Sequence, residues 1–287
     1  MGTELSLGGR RHDVTAHPLV MGILNRTRDS FYDGGRHFRL DALLRRAESM
    51  VGDGADILDV GARPGGVGVR DVPLLEECDL VVETVTALRE RFDAPVSVDT
   101  TRAAVAEAAF AHGAVLGNDM SGFGDPGYLP AAARHGASVV ATHTRLPPGI
   151  PDPDPVYGDV VGDVAAHLRH LAQRCWDAGL PAHRVILDPG LDLGKTWRQS
   201  LRLLAAIGRF ARPGHPVLLA ASNKIFLGRL LGLDTGERGA ASTAAVAVGV
   251  LRGAGVIRAH DVRAARHAAD LCAAVLAADA RPEAWNR

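Results

Sequence analysis

Eight short apolar runs recur along the chain, at residues 20–24, 55–61, 96–99, 115–119, 138–143, 185–188, 217–222 and 256–260. Each is too short for a helix and rich in β-branched residues or leucine, the pattern of strands buried on both faces. The segments between them carry helical spacing. Leu40, Leu43, Leu44 and Ala47 share one face, as do Leu74, Leu75, Val81, Val82, Val85 and Leu88, and residues 101–112 are rich in alanine. Gly113, Gly136 and Gly179 stand where those helices should end. Alternating strands and helices imply βαβ units and a parallel sheet. Eight such units without a large break fit a closed (β/α)8 TIM barrel of the α/β class better than an open doubly wound sheet. Such barrels use about 250 residues as one domain, so residues 1–287 read as one domain. Residues 1–19 are expected to form a short cap under the barrel, residues 147–155 a proline-rich loop, and residues 238–252 an alanine-rich packing helix suited to a dimer interface.

Composition removes several classes of function. The formal net charge is -1, which offers no basic face for nucleic acid. Cys78, Cys175 and Cys272 are far apart and form no C-x-x-C pair, so neither a disulfide framework nor a zinc site is expected. No apolar run approaches the roughly 20 residues of a membrane span, and the first residues lack the pattern of a signal peptide. The expectation is a cytoplasmic protein that uses neither membrane nor nucleic acid.

The active site of such a barrel lies at the C-terminal ends of its strands. In strand order the runs deliver Asn25, Asp59, Asp99 with Thr100, Asn118 with Asp119, His143, Asp188, then Ser222, Asn223 and Lys224, and finally Arg258, His260 and Asp261. Buried charges are costly unless paired, so several converging on one rim suggest a ligand. Asp99, Asn118 and Asp188 offer acceptors and an amide to a flat, nitrogen-rich ring, and Lys224 suits a ring carbonyl or nitrogen. Arg63, Arg258 and His260 suit phosphate or pyrophosphate, arginine in a bidentate way. Asn25 offers an oxygen to Mg2+, which prefers oxygen ligands and often bridges phosphates. Gly194-Lys195 is only a fragment of a phosphate loop, so Lys195 reads as a site-edge residue. His143 is balanced between ligand contact and structural histidine. His112, His135 and His167 read as helix-end or solvent histidines, and Asp33 as a turn residue or part of a lid.

The run Met21-Gly22-Ile23-Leu24-Asn25, followed by Asp29-Ser30-Phe31-Tyr32-Asp33-Gly34-Gly35, resembles the opening signature of dihydropteroate synthases. Asp59-Val60-Gly61, Arg63-Pro64-Gly65, Ser97-Val98-Asp99-Thr100, Asn118-Asp119, Leu187-Asp188-Pro189-Gly190, Gly194-Lys195, Ser222-Asn223-Lys224 and Ile257-Arg258-Ala259-His260-Asp261 follow in family order. The resemblance implies a barrel, usually dimeric. It implies condensation of 6-hydroxymethyl-7,8-dihydropterin pyrophosphate with p-aminobenzoate, releasing pyrophosphate. Asn25 would help bind Mg2+. Asp99, Asn118, Asp188 and Lys224 would hold the pterin, with Asp99, Asp188 and Lys224 serving the chemistry. Arg63, Arg258 and His260 would anchor pyrophosphate. No enzyme nucleophile is required; positioning and charge stabilisation do the work.

Departures from the family pattern cluster on the second-substrate side. Arg26 and Arg28 replace an apolar residue and a proline, the stretch after the second strand shortens to Ala62-Arg63-Pro64, and Asn223 replaces an arginine. Leu191-Asp192-Leu193 lacks the usual phenylalanine. These changes resemble the divergent second copies carried by actinobacterial genomes. They make Arg26, Arg28, Ser222 and Asn223 the second-substrate region and keep a related amine, or a non-catalytic pterin-binding paralogue, open. A folate-dependent methyltransferase on the same barrel is the other alternative, though it would not need the cations at 63, 258 and 260.

Overall fold

The computed structural model describes residues 2–26, 40–63, 71–211 and 214–281. Arg28, Asp33, the rest of the Asp29–Gly35 motif and Pro64-Gly65 lie outside the described residues. A short antiparallel hairpin of β1 (Glu4–Leu7) and β2 (Arg10–Asp13) comes first. The eight barrel strands follow as β3 (Leu19–Asn25), β4 (Ile57–Gly61), β5 (Val96–Asp99), β6 (Leu116–Asp119), β7 (Ser138–Thr142), β8 (Val185–Asp188), β9 (Leu218–Leu219) and β10 (Val256–Ala259). They are parallel, in the order β8-β7-β6-β5-β4-β3-β10-β9. A parallel bridge between Leu187 and Val217, with Leu187 N donating to Pro216 O at 2.8 Å, closes the circle. The expected TIM barrel is therefore the fold.

Helices α1 (Leu40–Gly52), α2 (Leu74–Arg91), α3 (Ala103–Ala111), α4 (Tyr128–Arg134) and α5 (Val160–Asp177) alternate with the first strands. After β8 come α6 (Trp197–Ala205) and α7 (Ile207–Ala211), then α8 (Ile225–Leu231), α9 (Gly239–Leu251) and α10 (Val262–Ala280). Side chains fix several starts. Asp159 caps α5, Thr196 and Gln199 form a capping box on α6, and Asp261 caps α10. Gly113, Gly136 and Gly179 follow α3, α4 and α5 with φ of +103°, +64° and +89°, the left-handed turn expected of them. Leu74 and Leu75 do not join the buried face of α2: they occupy its first turn and are exposed. Glu77 and Thr84 are buried there instead. Glu77 is satisfied by Arg102 at 2.8 Å and by the Thr100 hydroxyl at 2.7 Å.

Strand side chains alternate between two cores. Val20, Leu58, Val98, Val139, Val185 and Ile257 face the helices. Met21, Ile57, Leu116, Val140, Ile186, Leu218 and Val256 fill the barrel interior, where Leu5, Leu7 and Val14 join them. The hairpin thus closes the barrel bottom with apolar side chains. Among the described residues, no helix is long and apolar enough to cross a membrane.

Candidate active site

The alternation that puts Met21, Ile57 and Leu116 inside the barrel also puts Asn25, Asp59, Asp99, Asn118, Asp188 and Arg258 on the inward face, farther along their strands. Arg258 is the hub. Its Nε donates to Asp59 Oδ2 at 2.7 Å and its Nη2 to Asp99 Oδ2 at 2.6 Å. Asn118 Nδ2 reaches the same Asp59 oxygen at 3.1 Å. Asp59 is fully buried, and its Oδ1 has no partner. Burial opposes the charge of Arg258, but Asp59 and Asp99 more than offset it and raise its pKa. Burial pushes the Asp99 carboxyl up, and Arg258 opposes that shift.

Opposite this cluster, Asp188 Oδ1 accepts from Gly190 N at 2.7 Å, and Lys224 Nζ donates to Leu191 O at 2.9 Å. Burial raises the pKa of Asp188 and lowers that of Lys224. Each group spends one atom on the scaffold and keeps another open. Among the described residues, Asn118 Oδ1, Asp99 Oδ1, Asp188 Oδ2, two Lys224 protons and Arg258 Nη1 meet no hydrogen-bond partner. The open set is three acceptors, an ammonium and a guanidinium edge.

His260 stands at the rim. Its backbone N donates to Ser222 Oγ at 3.2 Å, and its Nδ1 shares a hydrogen bond with the same hydroxyl at 3.0 Å. Burial and then Arg258 push the His260 pKa down to about 4, so the ring is neutral near pH 7. It contributes as a hydrogen-bonding ring and not as the cation that the sequence also allowed. A cavity of about 210 Å³ opens beside it, bordered by Ser222, Asn223, Ser242, Thr243 and Asp261. Asn223 has φ +57°, a left-handed conformation that asparagine tolerates. Its backbone is held by Ser242 Oγ and Arg238. Arg63 lies at the rim beside the end of β5, where it bonds Thr101 Oγ1 at 3.3 Å and pairs with Asp71 at 2.8 Å.

The ordered motifs and the barrel agree with the comparisons. The family model described as pterin binding enzyme matches residues 21–260. The dihydropteroate synthase of Escherichia coli strain K12 is 36% identical, covering 96% of this chain and 95% of its own length. The chain belongs to the dihydropteroate synthase family. Within that family, the Yersinia pestis enzyme solved as a sulfonamide drug complex superposes with a TM-score of 0.89 at 36% identity, covering 96% of this chain and 99% of its own. The Burkholderia cenocepacia enzyme complexed with 7,8-dihydropteroate gives 0.87 at 39% identity, covering 98% and 99%.

Several residues stand elsewhere than the sequence pattern predicts. Arg26 follows inward-facing Asn25 and so points outward, into the helix layer. Its Nη1 donates to Leu80 O at 3.0 Å and Thr84 Oγ1 at 2.8 Å, and its Nη2 pairs with Glu83 at 2.5 Å. Only 6% of it is exposed. Arg26 is a strut between β3 and α2, not a group facing the second substrate. Arg26→Leu is expected to lower the unfolding free energy by about 2 kcal/mol through the lost charge-assisted bonds, with the KM for the amine unchanged. Denaturant titration beside steady-state kinetics checks this; a raised amine KM at unchanged stability would restore Arg26 to the site. Asp119 points outward too and holds its own loop through Ser121 and Phe123. Asp261 is a helix cap. His112 and His135 lie at helix ends, but His167 packs edge-on against His143 at 4.8 Å between ring centres. Asp59, which the strand-end reading places on the rim without a role, is the anchor of Arg258 and Asn118.

Proposed function

We propose that this chain condenses 6-hydroxymethyl-7,8-dihydropterin pyrophosphate with p-aminobenzoate or a related amine, releasing pyrophosphate. The observation that carries this reading is the pattern of open atoms on the inward face. Asp99, Asn118 and Asp188 present acceptors and Lys224 a donor, the complement of a pterin edge. Arg258 Nη1, with His260 and Arg63 along the rim, supplies the anion end. An amine approaching from the side of the cavity at Ser222 and Asn223 reaches the methylene between these two ends.

The residues do their work by placement. Asp99 and Asp188 lie where positive charge develops on the pterin methylene as pyrophosphate departs, and Arg258 takes up the negative charge on the leaving group. Mg2+ fits as a substrate-borne ion. Asn25 ends β3 exposed, its side chain meeting no hydrogen-bond partner among the described residues and its Oδ1 facing Gly61. Among the described residues, no three His, Cys, Asp or Glu side chains could hold a metal by themselves. One amide oxygen together with phosphate oxygens is the sparse donor set that Mg2+ accepts. Bound there, Mg2+ would neutralise the departing pyrophosphate. The reading also includes a cytoplasmic homodimer, with residues 1–287 acting as one domain; the exposed Val248, Leu251, Leu271 and Val275 on α9 and α10 support the dimer.

The test incubates the protein with the pterin pyrophosphate and Mg2+, with and without p-aminobenzoate, and follows dihydropteroate by mass spectrometry. Amine-dependent dihydropteroate is the expected product. Pterin pyrophosphate binding without that product would move the assignment to another amine or to a binding-only paralogue. Absence of binding, with methyl transfer from a folate, would overturn it.

A further inference from the structure

Lys195 has no part in the chemistry above, yet it is only 8% exposed. Its ammonium has three acceptors in reach: Leu193 O at 2.8 Å, His143 Nδ1 at 2.9 Å and His143 O at 3.4 Å. An ammonium has three protons, so its whole donor capacity is directed at the end of β7 and the loop after β8. His143 is a matched receiver. Burial, with Lys195 beside it, pushes the imidazole pKa down to about 3, so the ring is neutral, and beside an ammonium, which can only donate, the tautomer with its proton on Nε2 leaves Nδ1 to accept.

The loop held in this way, residues 189–196, supports the ring-binding end of the site. Gly190 N bonds Asp188 and Leu191 O receives Lys224. Asp192 Oδ2 accepts from Phe226 N at 3.2 Å, two residues beyond Lys224. Three of its residues are left-handed, Gly190 at φ +64°, Asp192 at +65° and Gly194 at +62°. A loop wound this way keeps its shape only while its contacts hold it. Tyr157 OH adds a bond to Gly194 O at 2.8 Å.

We propose that Lys195 is a positioning residue: its ammonium clamps residues 189–196 to His143, and through that loop sets Lys224 and Asp188 for the pterin. The clamp itself rests on geometry alone; its effect on pterin binding rests on the proposed function. The charged and titratable groups around it are Asp188 at the end of β8, Asp192 on its own loop, Lys224 before α8, His143 and Arg145 after β7, Asp152 and Tyr157 beside Gly194 and, on α5, His167. Burial lowers the Lys195 pKa to about 7, with Asp188 opposing and Lys224 assisting. The clamp therefore loses a proton, and one of its three bonds, as pH rises through neutrality.

Hydrogen exchange of the ligand-free protein and pterin pyrophosphate affinity are measured together at pH 6.5 and 8.5, after correction for intrinsic exchange rates. In the wild type, exchange at residues 189–194 is expected to speed up, and pterin affinity to fall, with rising pH. In Lys195→Met, pterin affinity should fall about tenfold, the effect of one lost charge-assisted hydrogen bond. The pH dependence should vanish, and the amine KM should stay as in the wild type. Wild-type loop protection in Lys195→Met overturns the clamp. A loosened loop with unchanged pterin affinity overturns the positioning role. If Lys195→Met does not fold, His143→Phe decides, since it removes one of the three acceptors: wild-type exchange at residues 189–194 in that variant overturns the proposal. Failure of the wild type to bind pterin pyrophosphate at all sinks the proposed function instead, while loop exchange still judges the clamp.

Discussion

Arg258→Met should lower turnover by about 10³-fold, the upper range for removing one preorganised group that meets developing charge. The same substitution leaves Asp59 and Asp99 facing each other without a counter-ion. Removing one partner of a buried pair costs about 3 kcal/mol, the low end of the usual range because Asp99 keeps solvent contact. The loss has a pH signature. Burial already raises the Asp99 carboxyl and Arg258 opposes that shift; without Arg258 its folded-state pKa rises further above the unfolded value, so the variant binds that proton over a wider pH range and recovers stability as pH falls. Thermal melts of the variant should therefore approach the wild type at pH 5 and diverge at pH 8. Equal deficits at both pH values would mean that the carboxylates have another counter-charge. A deficit in turnover below tenfold would remove Arg258 from the leaving-group end.

The second large effect is expected at Gly190. Its φ is +64°, and a Cβ there would stand 2.0 Å from the carbonyl oxygen of His143. A methyl group cannot share that space, and the obstacle is backbone, which does not rotate aside. Gly190→Ala must push the loop after β8 away from β7. That breaks the bond to Asp188 and displaces the carbonyl that receives Lys224. We expect a destabilisation of about 3 kcal/mol, from left-handed strain together with the clash. We also expect pterin affinity to fall by at least about 100-fold, since a displacement of 1 Å can cost that much. Calorimetric melting and isothermal titration read the two losses. A variant with wild-type affinity would show that the loop carries no part of the ring-binding geometry.

Much of this architecture is legible in the residues because a parallel strand buried on both faces must be apolar throughout. The polar residue that ends each run is then conspicuous. Asp99, Asn118, Asp188, Lys224 and Arg258 stand out for that reason. What a single run conceals is parity. Asn25 and Arg26, or Asn118 and Asp119, are neighbours of similar polarity, and only the pleat decides which faces inward. Departure from the family pattern points Arg26 to the second substrate, whereas the alternation starting at Met21 sends it to α2. Partners far apart in sequence are equally hidden. The Arg258–Asp59 bond spans 199 positions, and the Lys195–His143 bond spans 52. The seventh barrel strand was read as residues 217–222 but pairs through only Leu218 and Leu219, plus the single bridge at Val217. Pro216 offers no N–H before it, and the left-handed Asn223 turns the chain soon after.

The hairpin beneath the barrel imposes a traffic rule. With Leu5, Leu7 and Val14 lodged among the interior side chains, the described tube is blind at one end, and every molecule uses the same mouth. In a blind tube the seat nearest the floor must be filled first. On the proposed reading, a ring resting on Asn118 and Asp188 would have to pass the rim before an amine could settle near Ser222, and an amine seated early would stand in its way. Loading then has a sequence, excess amine acts as a stopper, and departure runs in reverse. A queue is thus built into a wall that touches neither reactant.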